Sequence, residues 1–405
     1  MYPFRKDFNE ITLEDIEFLK NQQIPESFYM EYKQQVWGKS DEETREMLKD
    51  VSSFANASGG IIIVGVSATE NSCIENIIGI ENAEEEESRI MACCLASIEP
   101  RIYGLQIRRF DCGNSREILL LYIPNSFNTP HQIIFKGLYQ IWKRYGSQKN
   151  KCTVDEIKNL CRKSSETLET LDKQKKDLND FITKNCLSGK PVHIMIAIPI
   201  VTSNMFLPIK ERTITDAIKN MKHKREDTWK LPIEYDLLEF AYTIRGLKYG
   251  DYKNDFFEIY RNGIIINKIQ MENGTYVVGV SGPDGQRYKF IKRDAICEFC
   301  FNFIYLCQNI YRVFGITESF LFVNSFFSIK NYSLNYIDSN KGGFSFSRHV
   351  KSCPEDNIEL PETTIYPDSN MEKEIGRTMD IFWQAFGFEK CNLFDDNGNY
   401  IISTN

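Results

Sequence analysis

The stretch from Pro25 to Val66 constrains this chain more than any other, because it sets an alternating segment, a capped helical stripe, a glycine pair and an unbroken apolar run in immediate succession. Phe28, Met30 and Tyr32 alternate with Tyr29, Glu31 and Lys33, so a strand here buries one face and projects Glu31 and Lys33 together from the other. Glu26 follows Pro25 at the strand entry, from where its carboxylate can reach back toward Glu31. Ser40-Asp41-Glu42-Glu43 has the form of a capping box, in which Ser40 and Glu43 satisfy the open amides of a helix start. Leu48, Val51, Phe54 and Ala55 then recur at helical spacing. Gly59 and Gly60 stop that helix, since a left-handed cap costs glycine nothing. Ile61 to Val64, with Gly65 and Val66 behind, reads as a central strand covered on both sides. The expected product is a polar site, with two carboxylates and an ammonium at the mouth of a buried sheet.

On either side the pattern continues. Residues 1–24 predict a charged lead-in helix whose Ile16, Phe18 and Leu19 offer an apolar contact, with Glu14, Asp15 and Glu17 on its solvated start. Ile74 to Ile80 predicts a short strand. Glu84 to Glu87 leads a helix through Met91, Cys94, Leu95 and Ile98, where negative charge favours the N-terminal dipole, and Ile102 to Phe110 and Ile118 to Ile123 supply two more strands. The segment from Lys136 to Lys163 changes character: Lys136, Lys143, Arg144, Lys149, Lys151, Lys158, Arg162 and Lys163 face only Asp155 and Glu156, with Tyr139, Trp142 and Tyr145 interleaved. A basic strand, turn and helix with aromatics suits phosphates and stacked bases, whereas a plain solvated hairpin has the same composition. Because the formal net charge is -7, nucleic-acid binding must come from such a local patch and not from a global field.

At these residues the chain resembles a known family. E-S-x-x-x-E-Y-K (Glu26 to Lys33), a helix, F-A-N-A-S-G-G (Phe54 to Gly60) and I-I-I-V-G-V (Ile61 to Val66) are similar to the AlbA-like, or divergent AAA, domain of Schlafen proteins. R-Y-G-S (Arg144 to Ser147) stands where that family has an R-x-G-S strand end, and the capping box Thr153-Val154-Asp155-Glu156 opens the helix after it. The resemblance covers about residues 20 to 163 and implies a mixed sheet that binds nucleic acid. It further implies a metal-dependent endoribonuclease acting on structured RNA such as transfer RNA, in a stress or antiviral response. Glu26 and Glu31 match the glutamates that hold the metal, Mg or Mn, with Lys33 placed to help hold phosphate and Lys136, Lys143, Arg144, Lys149 and Lys151 as the nucleic-acid-binding set. Hard oxygen ligands suit such ions, which activate water and neutralise charge developing on a phosphodiester. The family's third acid, an aspartate after the central strand, falls at about Ala68 in Ser67-Ala68-Thr69-Glu70, with Glu70 two residues on. Family resemblance also implies a homodimer or higher homo-oligomer, since one small domain offers little groove to folded RNA. Two functions of different class follow: the RNase, and a non-catalytic DNA- or RNA-binding regulator whose C-terminal half senses a partner. Nucleotide binding at the Gly59-Gly60 turn is a third, marked only by the glycine pair.

Ser164 to Cys186 predicts a helical connector, giving an N-terminal domain at 1–163, a connector at 164–190 and a C-terminal α+β domain at 191–405. Val192 to Ile200 reads as an apolar strand and Thr213 to Lys224 as a helix running into a second basic cluster, Lys219, Lys222, His223, Lys224 and Arg225, diluted by Glu226 and Asp227. Phe257 to Tyr260, Ile264 to Ile269, Tyr276 to Val280 and Tyr288 to Ile291 are separated by Asn262-Gly263, Asn273-Gly274 and Asp284-Gly285, and predict an antiparallel meander. An aromatic helix follows over Asp294 to Val313, then strands at Phe320 to Val323 and Phe326 to Tyr336. Loops are expected around Gly342-Gly343 and from Pro354 to Pro367. The last helix, Met371 to Phe386, carries Ile375, Met379, Phe382 and Phe386 at buried spacing.

Several chemistries are discounted. There is no G-x-x-x-x-G-K-S/T phosphate cradle and no G-x-S-x-G elbow. Cys297-x-x-Cys300, in an aromatic helical run with Cys307, lacks the second pair or histidines of a zinc site, and the 12 cysteines read as reduced, packed thiols. Asp395 to Asn399 lacks the glutamate of a calcium loop and reads as a hairpin turn. The histidines, His131, His193, His223 and His349, have no ligand spacing; His131, just before the basic strand, is the one placed to meet substrate. No apolar run approaches the roughly 18 residues of a membrane span, and the first residues lack a signal-peptide core, so a cytoplasmic protein is expected.

Overall fold

Continuous apolar runs bury strands on both faces, and Ile61–Val64 is buried throughout. In the computed structural model, residues 4, 8, 11–200, 206–221, 229–235, 240–272, 276–281, 285–316, 319–334, 351–366 and 370–401 are described. The chain divides into two units, Met1–Thr170 and Leu171–Asn405.

The first unit runs α1 (Leu13–Asn21), β1 (Met30–Lys33), α2 (Asp41–Ala55), β2 (Gly60–Val64), β3 (Val66–Ala68), β4 (Ile74–Ile77), α3 (Ala83–Ser97), β5 (Ile98–Glu99), β6 (Gln106–Gly113), β7 (Arg116–Ile123), β8 (Gln132–Phe135), β9 (Leu138–Tyr145), β10 (Gln148–Lys151) and α4 (Val154–Asn185). One four-stranded sheet has the order β1-β2-β7-β6, and a second the order β10-β9-β8-β5. β1 pairs with β2 in parallel, Glu31 beside Ile62 and Lys33 beside Val64. The alternation sorts the first sheet: Met30, Tyr32, Ile61, Ile63 and Leu120 pack on Ile16 and Leu19 of α1, while Ile62, Val64, Leu119 and Leu121 pack on Met47, Leu48, Val51 and Phe54 of α2. Each such side chain, fully buried, contributes about 1.5–3 kcal/mol. Glu31 and Lys33 therefore leave β1 on the α2 side.

One expected contact differs: Phe18 is 58% exposed and stands off the buried stripe of its helix. Phe28 and Tyr29 precede the strand and meet edge-on, at 5.1 Å between ring centroids.

α2 ties the sheets together. Its C-cap residue, Asn56, donates from Nδ2 to the carbonyls of His131 at 2.8 Å and Trp142 at 2.9 Å, and its Oδ1 accepts the His131 amide at 2.7 Å. Gly59 follows with φ +69, and a Cβ there would lie 2.5 Å from the Asn125 amide nitrogen. The Asn-Ala-Ser-Gly-Gly motif thus ends the helix and fixes β8 and β9 against it.

The helix expected at Thr153 and the connector expected from Ser164 are one 32-residue helix, α4, and the division between units falls inside it. The second unit continues with β11 (Val192–Pro199), α5 (Glu211–Lys219), α6 (Pro232–Tyr235), β12 (Phe240–Tyr242), β13 (Gly246–Gly250), β14 (Phe256–Tyr260), β15 (Ile265–Gln270), β16 (Val277–Ser281), β17 (Arg287–Ile291), α7 (Arg293–Val313), β18 (Phe320–Phe327), β19 (Ser333–Leu334), β20 (Ile358–Glu359), β21 (Thr363–Ile365) and α8 (Met371–Ala385). An eight-stranded sheet has the order β12-β13-β14-β15-β11-β18-β20, with β21 also on β18. The meander is β12 to β15; β16 and β17 leave it for a three-stranded sheet with β19. The two strands expected between Phe320 and Tyr336 are one long strand and a short one, and the expected loop from Pro354 carries β20 and β21. α5, α7 and α8 share a core with the sheet, into which Cys297, Cys300 and Cys307 pack as fully buried apolar groups. All 12 cysteines are free thiols.

His193 is buried in this core. Its Nδ1 meets the Tyr276 hydroxyl and its Nε2 lies 2.6 Å from Asn324 Oδ1, which fixes a neutral ring with the proton on Nε2. Burial pushes its pKa down to about 3. Asp395 accepts the amides of Asn397 and Asn399 in the expected turn. Lys222 to Asp227, Asn273-Gly274, Asp284, Tyr336, Gly342-Gly343, His349 and Pro367 lie outside the described residues. Among the described residues no helix is long and apolar enough to cross a membrane.

Candidate functional site

Strand alternation sends Glu31 and Lys33 out beside each other, and α2 and β9 close over them. Glu31 Oε2 meets Arg144 Nη1 at 2.5 Å, and its Oε1 meets Lys33 Nζ at 2.8 Å. Lys33 also reaches Asp50 Oδ2 at 3.0 Å. Asp50, 1% exposed, accepts Trp37 Nε1 at 2.8 Å and pairs with Lys149, which continues to Glu46 at 2.8 Å. Arg144, likewise 1% exposed, stacks over Phe54 at 4.2 Å from the ring centroid. Its second terminal nitrogen donates to the carbonyls of Ser27 and Met30, leaving Nε buried without a partner.

Glu26 stands beside this chain of charges. Its Oε1 accepts the Tyr32 amide at 2.8 Å. Burial raises its pKa, with the nearby Glu31 charge adding to the rise against the Tyr32 hydrogen bond and the cations. For Glu31 burial also acts upward, but Lys33 and Arg144 overcome it and hold the carboxyl below its ordinary value. Lys33 is the mirror case: burial acts downward, and Asp50 and Glu31 more than compensate, so its pKa is raised. The two glutamates therefore share one electrostatic neighbourhood with Lys33 and Arg144.

The expected basic set divides. Arg144 and Lys149 turn inward onto carboxylates. Lys136 is exposed and holds Asp41 at 2.6 Å. Lys143 leaves the opposite face of β9, its Nζ 5.5 Å from the Tyr145 ring centroid, and Lys151 is exposed on β10; neither has an ion-pair partner among the described residues. His131 is fully buried, its Nδ1 2.6 Å from the Pro100 carbonyl oxygen, and burial lowers its pKa. It supports the sheet junction and does not face solvent. Ala68 and Glu70 lie at the exposed end of β3 and in the turn after it. At the Gly59-Gly60 turn the Asn125 and Ile123 backbone occupies the space beside Gly59.

Asp50, Trp37 and Glu46 belong to this cluster but were not expected in it. The signal for Asp50 was present: it lies within the helical stripe of Met47, Val51 and Phe54, where a carboxylate is costly unless it is paired. For a divalent ion the Glu31 and Asp50 donors are already committed, since both Glu31 oxygens face protein cations and the Lys33 ammonium stands between Glu31 and Asp50, while Glu26 gives Oε1 to the Tyr32 amide. Among the described residues no three His, Cys, Asp or Glu side chains are grouped to hold a metal. As arranged, the site does not fit one.

A helix-covered mixed sheet joined through an Asn-anchored helix end to a second, basic sheet defines the class, an AlbA-like α+β domain. Residues 26–153 match the family model described as Schlafen, AlbA_2, so the chain contains a Schlafen/AlbA-like domain. Among solved structures, it is similar to the DIP2311 protein of Corynebacterium diphtheriae, at 12% identity over 34% of this chain and 29% of that one, with a TM-score of 0.23. It is also similar to the N-terminal domain of an ATP-dependent DNA helicase RecG-related protein from Nitrosomonas europaea, at 16% identity over 36% of this chain and 95% of that one, with a TM-score of 0.25. The chain thus spans under a third of the length of the first. No curated protein matches it.

Proposed function

We propose that the N-terminal unit is a nucleic-acid-binding module that grips a sugar-phosphate chain with the β9–β10 hairpin. The Schlafen, AlbA_2 match supports a nucleic-acid-related role. The carrying observation is the Arg144–Glu31 pair, by which the basic strand is docked against the carboxylate cluster. Lys143 and Lys151 extend from the same hairpin. Tyr139, 68% exposed, offers a stacking face of the kind worth about 1–3 kcal/mol per base. In this reading the C-terminal unit senses a partner.

A second reading keeps the expected enzyme, a metal-dependent endoribonuclease for transfer-RNA-like substrates in antiviral defence, acting as a homo-oligomer with Mg or Mn on Glu26 and Glu31. What favours it is the proximity of the two carboxylates: burial is the main cause of the raised Glu26 pKa, and the Glu31 charge adds to it. The committed oxygens of Glu31 stand against it. Incubation of pure protein with transfer RNA and Mn, followed on a denaturing gel and by mobility shift, separates the two. Salt-sensitive retention of intact RNA is the expected outcome; cleavage abolished by Glu31→Ala replaces it with the enzyme, and neither retention nor cleavage defeats both.

A further inference from the structure

The cations of this unit fall into two kinds. Lys33, Arg144, Lys149 and Lys136 each hold a carboxylate, and a phosphate must compete with that partner. Lys143 and Lys163 hold none among the described residues.

The two share a surface. Trp142 and Arg144 leave β9 toward α2, so Tyr139, Ile141, Lys143 and Tyr145 leave it on the outer face. The start of α4 lies across that outer face: the Cys152 amide donates to the Ile141 carbonyl at 2.8 Å, and the Tyr145 hydroxyl donates to Glu156. Helical periodicity sets Lys163 on the same side as Glu156, Leu160 and Thr167, and the last two are buried. Lys163 is itself half-buried, and its pKa is lowered first by burial and then by the charge of Lys143. The acids nearest along α4 are committed elsewhere, Glu156 to Tyr145 and Thr153, Asp155 to Lys158, and Glu166 to Arg162.

We propose that Lys143 and Lys163 form a seat for a phosphate-class oxyanion on the outer face of β9, beside Tyr145. Two ammonium groups that share a surface and hold no ion-pair partner among the described residues repel, and an anion between them reverses the sign of the interaction. The seat rests on the nucleic-acid reading above and places one of its phosphate contacts on the outer face of the hairpin, away from the carboxylate-filled inner cluster.

The test uses the full chain, two ligands and far-UV circular dichroism as a fold control. Calorimetric titration with inorganic pyrophosphate at low salt is expected to show binding that K143M/K163M loses at least tenfold, that K143R/K163R keeps, and that Lys158→Met, whose lysine pairs with its own helix, leaves unchanged. If K143M/K163M does not fold, Lys143→Gln alone carries the measurement. A single-stranded RNA 20-mer followed by anisotropy forms the second arm, in which the log–log salt slope of K143M/K163M is expected to be shallower by about 1.4, or about 0.7 for each lost phosphate contact. Pyrophosphate binding that is absent, or equal in wild type and a folded K143M/K163M, overturns the seat. RNA binding with an unchanged slope overturns the seat and leaves the nucleic-acid reading intact, whereas pyrophosphate binding without RNA binding keeps the seat and defeats that reading.

Discussion

Arg144 and Glu31 lie 113 positions apart in sequence and make the contact on which the site depends. Removing one member of a buried ion pair leaves the other charged and unpaired, so Arg144→Ala is expected to destabilise the N-terminal unit by about 3–5 kcal/mol in urea unfolding. Arg144→Lys should not restore it, because the ammonium lacks the fork that reaches Glu31 and the Ser27 and Met30 carbonyls together. The pH dependence has a definite sign. The Glu31 pKa is lowered in the fold, so its contribution is present above the ordinary carboxyl pKa and is lost as pH falls through the depressed value. Urea midpoints should therefore drop on acidification below about pH 4, and Glu31→Gln should flatten that drop. His193 gives a second window: with its pKa down at about 3, stability of the C-terminal unit present above pH about 6.5 is eroded from there toward 3, and equal midpoints at pH 7 and 4.5 would contradict its buried neutral state. Of these residues, Glu31 and Lys33 were legible from strand alternation. Their pairing with Asp50 and Arg144 was not, because it is made by packing between separate elements, which periodicity does not encode.

At the level of elements, local signals were read more reliably than membership of sheets. The capping boxes at Ser40 and Thr153, the Gly59 stop and the buried stripe of α2 follow from bonds and contacts within a few residues, and the sequence showed them. The hairpin between β16 and β17 was also legible, but not its sheet. Which sheet a hairpin joins is decided by pairing over long separations, as β11 pairs with both β15 and β18. Phe18 was misread because one apolar residue on a helix does not reveal which arc of the helix is covered. Asn56 is the element-scale test. Asn56→Ala removes the partners of the His131 and Trp142 carbonyls and the His131 amide, at about 1–3 kcal/mol for each buried group left unpaired. Hydrogen exchange of the His131 and Trp142 region should accelerate with it. Unchanged protection there would show that the α2 end does not hold β8 and β9 in place.

For the whole molecule, a net charge of -7 gives no attractive field for a polyanion, so contact with nucleic acid depends on a local cationic patch, here the β9–β10 hairpin of one unit. The β9–β10 hairpin carries Lys143 and Lys151 as unpaired cations among the described residues, Lys143 on its outer face and Lys151 in register with Trp142 on the other, while the inner cations are already balanced by Glu31, Asp50 and Glu46. Binding should therefore be modest in strength, steep in salt and sensitive to charge reversal on the hairpin. Fluorescence anisotropy of labelled transfer RNA, titrated with wild type and with a Lys143→Glu, Lys151→Glu variant from low to physiological salt, measures this directly. Log affinity that falls linearly with log salt for wild type and is lost in the variant is the predicted result; no binding at low salt, or identical curves for the two proteins, would contradict the account.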